Sequence, residues 1–117
     1  MSLVLAAVLA GAAPADADPA RRQAAADLAY VLGEIHALRR ACAGRSEGAW
    51  RARMQALLRM EEGDALFQRR LKSRFNSGYL TAAAAHAGCG DQGVEAKRQA
   101  EREGVRLAQR LAGAPER

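Results

Sequence analysis

The sequence predicts an all-α fold, an antiparallel bundle of three to four helices closed by one disulfide. Three observations carry this expectation. Apolar residues recur at spacings of three and four along most of the chain. Glycines and capping residues divide that pattern into segments of helical length. The cysteine count is two, Cys42 and Cys89, an even number that leaves a single possible pairing.

At 117 residues there is room for one domain. Half of the residues are hydrophobic, but many are alanines and only 4% are aromatic, so helix is favoured while little area is buried per residue. A chain of this size hides roughly 60–70% of its unfolded surface, which makes its core modest and a covalent staple useful.

The first segment reads as a leader. Leu3 to Ala13 is uncharged and rich in Leu, Val and Ala. A membrane-crossing helix needs about 20 apolar residues, so the run is too short to span. It suits the apolar stretch of a signal peptide, and Ala13-Pro14-Ala15 and Ala15-Asp16-Ala17 both fit an A-x-A cleavage site. Residues 1–17 are therefore expected to be removed, leaving 18–117 as one helical domain. No Lys or Arg precedes the run, and the usual positive n-region would require a start upstream of Met1. No cysteine follows closely enough for a lipid anchor, and the mature chain holds no second long apolar stretch.

The first helix is expected from about Pro19 to Ala43. Leu28, Val31, Leu32, Ile35, Leu38 and Cys42 form one apolar stripe, Pro19 suits the first turn, and Gly44 stops it. The second starts near Ser46, an N-cap residue, with Trp50, Met54, Leu57, Leu58 and Glu61 on one side, and ends near Gly63. Asp64 caps the third, which carries Leu66, Phe67, Leu71, Phe75 and Tyr79 and ends before Gly88-Cys89-Gly90. Asn76-Ser77-Gly78 either kinks this helix or leaves it continuous, with Gly78 admitting a close neighbour. The fourth runs from about Asp91 to Ala112 on a thin stripe of Val94, Val105, Ala108 and Leu111. So thin a stripe leaves open whether it docks tightly, and the tail 113–117 is expected to fray. Short loops make successive helices antiparallel, so the first and third run the same way. Both cysteines then fall at one end of the bundle, in agreement with a disulfide in an exported chain.

Several chemistries are disfavoured. His86-Ala-Gly-Cys89 has metal-like spacing, but His36 and Cys42 are about 9 Å apart along a helix and about 240° around it, so no metal site or cofactor is expected. No H-E-x-x-H, G-x-S-x-G or S-x-x-K sequence is present, and no catalytic residue is assigned. Glu61, Glu62 and His36 are the only thinkable acid–base groups for an envelope enzyme acting on glycan or peptide. Arg69, Arg70, Lys72 and Arg74 lie beside Phe75 and Tyr79, a pairing found in single-strand nucleic-acid sites. Export and the register of both rings with Leu71 argue against nucleic acid. The cluster is instead a candidate surface for a partner.

The net charge is +5, with 18 Lys and Arg against 13 Asp and Glu, and only Lys72 and Lys97 are lysines. GC-rich coding enriches Ala and Arg together, yet arginine's planar fork also suits carboxylates and phosphates. The leading expectation is a non-catalytic accessory or interaction protein of the cell envelope, facing an anionic envelope component or an envelope protein.

The stretches Leu28 to Cys42, Trp50 to Leu58 and Arg69 to Tyr79, with Cys89 and Gly104-Val-Arg-Leu-Ala108, resemble a family of small uncharacterised exported alphaproteobacterial proteins. Phe75-Asn76-x-Gly78-Tyr79 between the two cysteines is the most specific part. The resemblance implies a periplasmic, one-disulfide helical domain and no particular reaction. Ala82 to Ala85 departs from the bulkier residues expected there. From the residues alone, Phe75, Asn76, Gly78 and Tyr79 are read as a structural centre, the alternative being that Asn76 and Tyr79 face a cleft and touch a ligand.

Overall fold

A computed structural model describes residues 18–43 and 48–113. The expected leader, the Gly44 stop, the Ser46 cap and residues 114–117 of the tail lie outside them. Within them the fold is all-α, with helices α1 (Pro19–Ala43), α2 (Ala49–Met60), α3 (Ala65–Ala85) and α4 (Asp91–Leu111).

Each start has a local cause. Asp18 Oδ1 accepts the amide of Ala20 at 3.0 Å, just ahead of Pro19 in the first turn of α1. Gly48 precedes α2 and offers no side-chain cap. Gly63 adopts φ +90°, a left-handed turn that ends α2 cheaply only for glycine. Asp64 Oδ1 then accepts the amide of Phe67 at 3.1 Å, which makes it the N-cap of α3 as expected. α3 passes through Asn76-Ser77-Gly78 without a break.

The helices pack as spokes on α1, which makes the extensive contacts of the described residues with α3, α4 and, less fully, α2. The expected single stripe on α1 is therefore too narrow. Ala24, Ala25, Ala26, Ala29, Gly33, His36 and Ala37 are buried along with Leu28, Val31, Leu32, Ile35 and Leu38. A helix surrounded on several sides needs small residues wherever a neighbour's backbone comes close, and the alanines supply them.

α3 runs parallel to α1, since Arg22 lies over the Phe67 ring at one end and Gly33 meets Phe75 and Tyr79 further along. The crossing is backbone to backbone. A Cβ on Gly33 would run into the Phe75 carbonyl oxygen and stand 2.8 Å from the Tyr79 nitrogen. A Cβ on Gly78 would run into the carbonyl of Tyr30. The two glycines thus open the crossing from both sides. Gly78 was legible as a close-packing position, whereas Gly33 was not singled out.

Both ends of the α1–α3 pair are tied. Cys42 and Cys89 are disulfide-bonded, with Cα atoms 4.7 Å apart. At the other end Arg21 donates to Glu61 at 3.0 Å and Arg22 to Asp64 at 3.0 Å, which fixes the turn between α2 and α3 onto the start of α1. The Glu61 side chain is fully buried.

Two expectations about faces are corrected. Leu66 is 73% exposed instead of joining Phe67 and Leu71 in the core. On α4, Val94, Val105 and Ala108 are exposed, and the buried line is Gly93, Ala100, Gly104 and Leu107. Small residues let α4 approach α1 closely, and the contacts so gained outweigh two isolated valines. α4 consequently docks more extensively than α2 and does not hang loosely.

Candidate functional site

The aromatic side chains gather where α1, α2 and α3 meet. His36 is only 7% exposed and is surrounded by rings. Its imidazole centroid lies 4.3 Å from Trp50 and 5.3 Å from Tyr79, and Trp50 stacks on Phe75 at 4.9 Å. Burial, followed by repulsion from Arg40 and Arg51, holds the His36 pKa below its ordinary value. The imidazole lies in a ring cluster, its faces matched by neighbouring rings. Arg40 closes the edge by donating to the Tyr79 hydroxyl at 3.3 Å.

Outside this cluster α2 and α3 leave a groove of about 330 Å³. Trp50, Met54, Leu58 and Phe75 line it with apolar surface, while Arg51, Gln55, Lys72 and Asn76 are exposed on its rim. Arg51 lies over the Trp50 ring at 5.3 Å. Asn76 faces this groove instead of turning its amide to a neighbouring backbone group.

The chain matches, over residues 22–114, a family model described as "Protein of unknown function (DUF2385)". It belongs to that family. The matched segment of this DUF2385 chain contains both cysteines, the ring cluster and the whole of the groove. No curated protein and no solved structure matches it.

The basic cluster of this DUF2385 protein divides in the fold. Arg69, Arg70 and Lys72 are exposed on α3. Arg74 turns toward α1, 3.5 Å from Asp27 and over the Tyr30 ring at 4.7 Å. Arg51 from α2 joins the outward cations, and it was not counted from the sequence. Its one signal was its place next to Trp50.

The proposed acid–base groups are not brought together. Glu61 is buried against Arg21 and Glu62 is exposed. His36 stands fifteen residues beyond Arg21, about 22 Å along α1. A different pair of carboxylates shares a hollow of about 300 Å³ between α1, α3 and α4, where Glu34 and Glu103 lie with His86. Burial raises the Glu34 pKa, and the Arg106 hydrogen bond lowers that of Glu103. Among the described residues no group of three or more His, Cys, Asp or Glu side chains is placed to hold a metal ion. Nor is any of their helices long and apolar enough to cross a membrane.

Proposed function

We propose that this DUF2385 protein is exported to the periplasm and acts there as a non-catalytic binding protein of the cell envelope. Its partner is read as an anionic envelope polymer such as peptidoglycan. The observation that carries this reading is the groove between α2 and α3, where ring surfaces lie between Arg51 and Lys72, with Arg69 one turn from Lys72 on α3. Arg69, Arg70 and Lys72 have no ion-pair partner among the described residues. Rings stack on sugar faces, while arginine and lysine bind carboxylates. Export is supported by the apolar leader with its A-x-A sites and by a disulfide, a bond that persists in oxidising compartments.

Purified mature protein should co-sediment with isolated sacculi and be released by salt. The double variant Arg69→Glu/Lys72→Glu should lose binding at unchanged helicity. Salt-insensitive or unaltered binding would remove this surface from consideration. The periplasmic protein's intact mass should lack the first 15 or 17 residues. A cytosolic product retaining Met1 would end the export reading.

A second reading, an envelope enzyme acting on glycan or peptide, is favoured by one observation: the opposed shifts of Glu34 and Glu103 in a single hollow. Release of soluble fragments from sacculi, lost in Glu34→Gln, would replace binding by hydrolysis.

A further inference from the structure

We propose that the groove between α2 and α4 binds a single-chain anionic amphiphile, with a fatty acid as the simplest example. Leu28, Leu32 and Ile35 recur at four and three residues along α1 and form its floor. Leu57 and Met60 of α2 and Val105 of α4 contribute to the walls. The space is about 500 Å³, inside the ~300–1,000 Å³ range of small-molecule pockets. It stays open because Ala56, Gly104 and Ala108 are too small to close it. Met60 and Val105, 47% and 57% exposed, leave apolar surface at its mouth.

The polarity of the groove argues for the class of ligand. α2 and α4 both run antiparallel to α1, so they run parallel to each other. Arg53 and Glu101 start their respective walls and therefore lie at one end. Met60 and Ala112, about 10 and 16 Å further along their helices, lie at the other. Glu101 is held by Arg39 at 2.9 Å and approached by Lys97 at 3.7 Å. Arg53 has no ion-pair partner among the described residues. With the Glu101 carboxylate met by Arg39 and Lys97, Arg53 is the charge this end offers to a ligand. Its far half is lined by Met60, Ala108 and Ala112, with Gln109 as the polar side chain. A cationic end joined to an apolar trough complements a carboxylate head on an alkyl chain. This site is separate from the α2–α3 groove and does not depend on its reading.

The test is a methyl NMR titration of the mature, disulfide-bonded protein with laurate below its micelle concentration. Dodecyltrimethylammonium serves as the control of equal chain length. Laurate should shift the Leu28, Leu32, Ile35 and Met60 methyls, and the cationic detergent should shift them far less. Arg53→Glu should weaken laurate binding about tenfold, the share expected of one charge-assisted contact. Ala108→Trp, a change at an exposed position, should block it while the thermal melt is retained. Equal response to both detergents, or shifts confined to the α2–α3 groove, would overturn the proposal. So would a concentration-dependent dimer that Ala108→Trp disrupts and laurate does not, because the groove would then belong to a second copy.

Discussion

The two sides of α1 are built on opposite terms. Toward α3 the backbones touch, with Gly33 and Gly78 facing carbonyls and no space for a single Cβ on either. Toward α2 and α4, Leu28, Leu32 and Ile35 lie under a groove of about 500 Å³ that small wall residues leave open. Small side chains occur on both sides, yet at the crossing they close the structure and in the groove they hold it apart. The difference lies in what the neighbour presents, a backbone on one side and a gap between two helices on the other. The closed side is also the tied side, with a disulfide at one end and the Arg21–Glu61 and Arg22–Asp64 pairs at the other. A stiff α1–α3 pair supplies a fixed floor on which α2 and α4 can leave binding space.

The largest expected effect on this comparison comes from cutting the staple. The disulfide closes a separation of 47 residues. Its loss should therefore cost about 4 kcal/mol on the chain-entropy account. Reduction should lower Tm by on the order of 20 °C, since 1 kcal/mol moves a domain of this size by roughly 4–8 °C. A drop of only a few degrees would show that glycine packing and the ion pairs hold α1 to α3 unaided.

Next comes a paired test of small-to-large changes. Gly78→Ala forces a methyl into the Tyr30 carbonyl and should cost about 3 kcal/mol in urea unfolding. Ala108→Leu on the open side should change stability by no more than about 0.5 kcal/mol. Similar costs for the two would erase the distinction between closed and open sides.

The smallest effect is electrostatic and belongs to the ring cluster. His36 faces Arg40 from its own helix and Arg51 from α2, and its folded pKa lies below the ordinary 6.5. As pH falls through that value the unfolded chain takes up a proton that the folded one resists. Stability is then complete above about pH 6.5 and declines below it. The urea midpoint should fall between about pH 7 and 5, and His36→Phe should flatten that slope. Glu34 acts with the opposite sign, because its raised pKa adds stability as pH drops toward its ordinary 4.5. An unchanged slope in His36→Phe would show that the imidazole titrates freely.

Much of the secondary structure was legible because its causes are local. The ends of α1 and the Asp64 cap follow from neighbours in the chain, and the α4 boundary differs by one residue from expectation. The disulfide was legible because two cysteines allow one pairing and short loops place both at one end. The face of α4 was not legible. Val94 and Val105 outrank glycine and alanine in hydrophobicity, but the glycine–alanine face fits against α1 and the valines do not. The candidate site was half legible for the same reason. Phe75 and Asn76 belong to a motif and Lys72 to a basic run on one helix, whereas Arg51, and the removal of Arg74 from the outward cations, depend on how α2 and α1 lie beside it.

The sequence by itself determined three to four helices, the ends of α1, the cap of α3, the helix directions and the covalent link, all properties of short segments and of cysteine count. Only the tertiary structure decided that α1 is the hub, that His36 is sealed among rings, and that one flank of α1 is closed while the other is a groove. Periodicity states which residues can share a face. Which face is buried depends on how closely two backbones can approach, and that distance is a property of the pair.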